Sequence, residues 1–285
     1  MIAVLVMTPA SRAEPKPPTD GKKDDPPKET EPAVDDRYRR DAEKVVGGIE
    51  MEVFKEDAWT KVKRIEKPLL FYDDPTRDND RGSVWGWGEK GRPVALIELW
   101  QHVEDRTSWY FCLCNTSGGR VRASRGGAAW WRENESAAEL KDVPNAPAPV
   151  ADSAQRLRQA KQLSLKFRGH EFWDPNNTRY DLRRLDRPLH TYKDEDAGLL
   201  DGALYSPANG TNPEIMVFIE AHRDPKDATR SVWRFAVGRS AHAELHLEYE
   251  GKEVYEAPRG NKVAGSNKPY WLSYMDIPDE IKPEK

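Results

Sequence analysis

The chain has 285 residues, 37% of them hydrophobic and 33% charged, with a formal charge of −4 and a pI near 6.0. That length suits one large domain or two ordinary ones, and ten Trp, ten Tyr and seven Phe are enough for compact cores. Charges of both signs are mixed along the chain and build no concentrated positive field, which excludes nucleic acid as a partner. No apolar run reaches the roughly 18 residues of a membrane span.

Residues 1–13 carry a short apolar run, Ile2 to Met7, followed by Ser11-Arg12-Ala13, which places small residues where a signal peptidase reads. They read as a truncated signal peptide, and imply an exported (periplasmic or extracellular) protein; the competing reading is an ordinary terminus of a cytoplasmic protein. Residues 14–37 form a spacer rich in Pro, Lys, Asp and Glu, too polar to offset its ordering entropy, and are expected to be disordered.

From 38 to 142 the pattern is mostly β. A short helix is expected near Asp41 to Val46, stopped by Gly47-Gly48. Strands are expected at Glu50–Phe54, Thr60–Ile65, Leu69–Tyr72, Ser83–Trp87, Val94–Trp100, Ser108–Cys114 and Arg120–Ala123, with turn residues between them. Val94–Trp100 is apolar on both faces and requires cover on both sides. Residues 143–151 read as a Pro/Ala linker. Asp152 or Ser153 then caps a helix whose Leu157, Ala160, Leu163 and Phe167 repeat on one face. Further strands follow from His170–Trp173 to Lys252–Tyr255, and the segment from Pro258 to 281 reads as irregular, although Tyr270-Trp271-Leu272 demands burial.

The two halves share a pattern. Arg64 to Tyr72 recurs as Arg184 to Tyr192, Gly82 matches Gly202, Glu98 matches Glu220, and Trp109 matches Trp233. This predicts an α+β fold built as a tandem duplication, copy one at 38–142 and copy two at 152–281. Each copy is expected to be a curved antiparallel sheet with one N-terminal helix. The recurring positions are mostly Pro, Gly and apolar residues, which make turns and cores. Polar groups diverge, so no catalytic set is present twice.

Glu98 and Glu220 stand out as carboxylates on apolar strand faces, where an acid or base role or an ion pair with Arg64 or Arg184 is possible. Glu220 shares its face with His222, and this pair, or Glu220 with His190, is the candidate catalytic site of a hydrolase-like enzyme confined to the second half. Trp85, Trp87, Tyr72 and Tyr192, beside Arg64, Arg184 and Glu98, are the ligand-binding candidates, since aromatic platforms near polar groups suit sugar rings or peptides. The bland alternative packs Trp85 and Trp87 into the core. Cys112 and Cys114 point to one face about 6–7 Å apart, a spacing for structural thiols rather than a disulfide. The histidines have no metal-site spacing, and no phosphate-binding or dinucleotide motif occurs, so neither metal nor cofactor is expected.

At KPLLFYDDPTRDNDRGSVWGWGEKGRPVALIELW and DRPLHTY with the LLDGALY and NGTNPEIMVFIEA segments after it, the chain resembles exported proteins of planctomycete-type bacteria for which no function is assigned. The resemblance runs from residue 38 to about 275. It implies a bacterial, exported protein and transfers no active-site residue. The reading that joins these observations is a non-catalytic binding or scaffolding protein of the cell envelope, with a glycan or an envelope protein as its partner.

Overall fold

The computed structural model describes residues 32–74, 80–102, 108–136, 138–260 and 265–276. The expected signal peptide, most of the spacer and the turn around Arg106 lie outside these residues. The first half contains α1 (Pro32–Gly47), β1 (Ile49–Lys55), β2 (Ala58–Val62), β3 (Leu70–Asp74), β4 (Asp80–Trp87), β5 (Ala95–Gln101), β6 (Ser108–Asn115), β7 (Val121–Arg125), β8 (Ala128–Asn134) and β9 (Lys141–Asp142). The second half contains α2 (Ser153–Ser164), β10 (Phe167–Phe172), β11 (Arg179–Arg184), β12 (His190–Asp194), β13 (Leu199–Tyr205), β14 (Pro207–Asn209) and β15 (Asn212–Pro213). It continues with β16 (Ile215–Asp224), β17 (Asp227–Arg239), β18 (Glu244–Tyr249), β19 (Lys252–Ala257) and β20 (Tyr270–Asp276).

Local chemistry accounts for most of these boundaries. The Asp152 carboxylate accepts the Gln155 amide at 2.9 Å and caps α2. Glu56-Asp57 and Glu250-Gly251 adopt positive φ and close two-residue hairpins, whose backbone twist matches that of the flanking strands. Helix α1 starts at Pro32, inside the stretch read as spacer, because Tyr38, Ala42, Val45 and Val46 give it a face to bury.

The strands form four antiparallel sheets. Sheet I has the order β2-β1-β7-β8, sheet II β20-β6-β5-β4-β3, sheet III β12-β13-β16-β17-β9, and sheet IV β15-β14-β11-β10-β18-β19. One core lies between sheets I and II, with α1 contributing, and holds Trp85, Trp87, Ile97, Leu99, Trp109 and Trp131. A second lies between II and III, around Val84, Leu96, Leu204, Met216 and Phe218. A third lies between III and IV, with Ala160 and Leu163 of α2 against Ile219, Phe235, Leu245 and Leu247. Alternation along β5 thus sends Ile97 and Leu99 into one core and Leu96 into another, which gives this strand cover on both faces.

The α+β expectation is overturned. Strand makes up 56% and helix 11%, in two helices, and the four sheets are arranged as a four-bladed, propeller-like fold rather than as tandem copies of a sheet-plus-helix domain. The physical reason is non-local pairing. β1 pairs with β7 rather than β3, which splits each expected single sheet in two. β20, expected to be irregular, completes sheet II by pairing residue by residue with β6, from Tyr270–Cys114 to Asp276–Ser108. β9 completes sheet III through Arg234–Asp142 and Phe235–Lys141. Each half finishes a sheet of the other. The matching strands also differ in register: Glu98 stands opposite Val84, whereas Glu220 stands opposite Gly202. The recurring residues mark similar local hairpins, not self-contained copies.

Candidate functional site

One arrangement occurs at two places. Tyr72 on β3 stands opposite Gly82 on β4, and its ring crosses that glycine to donate a hydrogen bond from its hydroxyl to Glu98 on β5. A Cβ at Gly82 would lie 2.0 Å from the Tyr72 ring, so only glycine admits the crossing. Tyr192 on β12 likewise crosses Gly202 on β13, where a Cβ would come within 2.2 Å, and donates to Glu220 on β16 at 2.8 Å. Burial raises both phenols well above the ordinary tyrosine value, with the carboxylate charge adding to the effect, so both hydroxyls stay protonated donors. The polar positions that recur in the sequence therefore meet, but as Tyr–Glu pairs. The guanidinium of Arg64 packs over the Trp85 ring at 4.9 Å, and that of Arg184 donates to the Leu185 carbonyl at 3.0 Å; neither is the ion-pair partner expected for the glutamates.

The partner of Glu220 comes from the β4–β5 connection. Arg92 clamps the carboxylate from Nε at 2.7 Å and Nη2 at 2.9 Å, while His222 Nε2 lies 2.7 Å from Oε2. Arg92 Nη1 also donates to the Ala138 carbonyl at 3.1 Å. Burial alone would raise the Glu220 carboxyl, but the hydrogen bonds and charges of Arg92 and His222 more than offset it and hold the group at about 2. Glu220 is thus a permanent anion at neutral pH. It lies with His222 beside a cleft bounded by Gly91, Val94, Ser117 and Leu199, but as a saturated ion-pair acceptor rather than a poised acid or base. His190 stacks on Tyr192 at 5.8 Å, and burial lowers its pKa.

The Glu98 end of the arrangement is different. Ser240, from the turn after β17, donates to Glu98 Oε2 at 2.7 Å, and this Tyr72–Glu98–Ser240 group floors a cleft of about 260 Å³ between sheets II and IV. Asp80, Trp100, His102 and Leu272 line one wall, from sheet II. Glu171, Trp173, Asn212 and Glu214 line the other, with His242 and Ala243 closing the end. The Asp80 carboxylate lies 2.7 Å from His102 Nδ1, and Asn209 donates to Glu171 at 2.8 Å. Arg239, itself buried, donates to the carbonyls of Ala241 (3.0 Å), Ala243 (2.7 Å) and Pro258 (2.8 Å) and so fixes the loop that forms the end wall.

Aromatic groups continue from this cleft. Tyr72, Gly82, Trp100, Tyr110 and Tyr274 form one cross-strand row of sheet II. Trp100 stacks on Tyr110 at 5.9 Å, and Tyr110 lies 6.1 Å from Tyr274, which is 65% exposed. Trp173 is 45% exposed and packs against Tyr180 at 5.4 Å. The expected platform of Trp85 and Trp87 is elsewhere: both are 1% exposed in the core between sheets I and II, on the opposite face, and Tyr72 is 8% exposed. Among the described residues Trp173 and Tyr274 are the exposed large aromatics, while Trp100 and Tyr110 are half-buried. Part of this was readable, since period-2 counting puts Glu98, Trp100 and His102 on one face. The Trp173 wall had no local signal, because sheet IV reaches the cleft only through tertiary packing.

Comparison of the chain with protein-family models, curated proteins and solved structures finds no match. Among the described residues no cluster of three or more His, Cys, Asp or Glu side chains has metal-binding geometry, and no helix is long and apolar enough to cross a membrane.

Proposed function

We propose that this is a non-catalytic binding protein of the bacterial cell envelope that holds the end of a glycan in the cleft between sheets II and IV. One observation carries the reading: Trp100 and Trp173, from different sheets, line a single concave site floored by Tyr72, Glu98 and Ser240. Sugar rings present apolar C–H faces that pack on aromatic rings, and hydroxyl donors that suit carboxylates, each of which accepts at about four positions. At about 260 Å³ the cleft falls just below the common range of roughly 300–1,000 Å³ for small-ligand sites, so it fits a terminal unit rather than a long segment. The exposed Tyr274, at the end of the aromatic row, supports further units outside. A hydrolase built on Glu220 and His222 has less support, because Arg92 and Tyr192 already occupy the carboxylate. Placement in the envelope rests on the N-terminal sequence; if cleavage follows Ala13, N-terminal sequencing of the native protein should read from Glu14.

A glycan array probed with the chain, followed by calorimetric titration of the hits, tests the binding reading. Trp100→Ala and Trp173→Ala should each weaken binding about tenfold or more, the loss of one ring contact of roughly 1.4 kcal/mol. Trp59→Ala, on the outer face of sheet I, should leave it unchanged. Absence of any glycan ligand, or binding indifferent to both cleft substitutions, overturns the proposal.

A further inference from the structure

His170 on β10 and His246 on β18 are direct cross-strand partners on the outer face of sheet IV. Their rings stack at 4.7 Å with planes 5° apart. His246 places Nδ1 2.8 Å from Glu253 and Nε2 3.4 Å from Glu244. Ionised carboxylates only accept, so the two contacts together favour the doubly protonated ring of His246. His170 is different: among the described residues no carboxylate is hydrogen-bonded to it. The other charged groups facing the pair are Arg168 on β10, Arg179 and Asp181 on β11, Glu248 on β18 and Glu256 on β19. Asp181, opposite His170, is held by Arg179 at 2.9 Å. The two stacked rings thus differ in what holds a proton on them: His246 has carboxylate partners and His170 has none among the described residues. Burial, Arg179 and the His246 charge lower the His170 pKa from 6.5. Burial would lower that of His246 too, but Glu253 and Glu244 outweigh it and raise it.

Both strands run straight into the cleft. Glu171 and Trp173 follow His170 by one and three residues, and His242 and Ala243 lie just before β18. We infer that the His170–His246 stack is a proton-operated control on the cleft, holding β10 and β18 together with one proton on the pair and loosening them when acid supplies a second. The inference rests on the binding reading of that cleft. The second proton comes from solvent and settles on a His170 ring nitrogen. It leaves two parallel cations in contact, a like-charge cross-strand pair that weakens the β10–β18 pairing.

The test uses the full chain labelled with 5-fluorotryptophan, with the Trp173 signal assigned through Trp173→Phe and followed by fluorine NMR. Amide exchange of β10 and β18 is measured in parallel and corrected for intrinsic rate. The Trp173 signal should shift with an inflection below pH 6.5, and exchange protection should fall about threefold between about pH 7.5 and 5, the size of one lost cross-strand pair. His170→Gln should flatten both responses, and His246→Gln should do the same by removing the ring that the second charge would face. Protection independent of pH in the native chain, or a full response surviving in both variants, overturns the inference. Binding of array-identified glycans that is insensitive to pH, with no fluorine response, sinks the control and leaves the binding site. A fluorine response without any glycan ligand sinks the binding reading and leaves the control.

Discussion

Replacing Arg92 by Met is the most demanding test of how the halves are joined. Arg92 is the cation of a nearly dry pair, with side-chain exposure of 11% for Arg92 and 1% for Glu220, and its remaining donor holds the Ala138 carbonyl. Removing it strands a buried carboxylate, for which a loss of about 3–5 kcal/mol is expected. An independent route gives a similar size. Glu220 shifts from 4.5 to about 2, which corresponds to roughly 3 kcal/mol of stability linked to its ionised state. The sign follows from the depressed folded value: that stability is fully present above pH 4.5 and is lost as pH falls through about 2. Without Arg92 only His222 and Tyr192 remain to oppose the burial effect, so the Arg92→Met variant should lose the most at neutral pH and recover part of the deficit in mild acid, where Glu220 protonates more readily. Urea unfolding followed by tryptophan fluorescence, run as a cycle with Glu220→Gln and the double variant, measures this directly. The double variant should be more stable than Arg92→Met alone, because no charge remains buried unpaired. A loss below about 1 kcal/mol for Arg92→Met, or strictly additive single substitutions, would show that the pair does not anchor the interface between the halves.

Other substitutions probe separate parts of the fold. Gly82→Ala and Gly202→Ala force a Cβ into a tyrosine ring, and each should cost about 1–3 kcal/mol or more, seen as a lower melting temperature. A melting temperature within error of the native chain would mean that the ring does not cross the glycine. Burial raises the pKa of Cys112, and that of Cys114 to about 11, so neither thiol should react with a thiol reagent in the native protein at pH 8, while both should titrate in urea. His170→Gln should stabilise the chain selectively in acid. The native His170, with its pKa depressed below 6.5, contributes stability that is present above pH 6.5 and lost as pH falls through its folded value. Melting curves across that range check it. Truncation after residue 268 removes β20, uncovers the edge of β6 and takes Met275 and Trp271 from the core, and should yield an aggregating chain by light scattering.

Much of the local structure was legible in the residues. Period-2 runs at Glu50–Phe54, Val94–Trp100 and Ser108–Cys114, together with the Asp152 cap, give strands and a helix wherever they fall in space, because pleat and capping are short-range effects. The importance of Tyr72, Glu98, Tyr192 and Glu220 was also visible, as was the double-sided burial of β5. Their partners were not. Arg64 and Arg184 are the near arginines in the pattern, yet Arg92 reaches Glu220 because the β4–β5 connection packs against sheet III, across 128 residues of chain. Trp85 and Trp87 looked like a platform because alternation assigns residues to faces but does not tell which face another sheet will cover. Sheet I covers theirs, while on the other face Trp100 lines the cleft. Strand pairing is decided the same way. β9 carries little strand signal of its own, and β20, although rich in aromatic residues, has a partner that only the edge of β6 reveals. The sequence by itself determined most of the strands and turns and singled out the tyrosine and glutamate positions. Tertiary packing alone decided that there are four sheets, that each half closes the other, and that a cleft opens over Glu98 while Glu220 is sealed by Arg92.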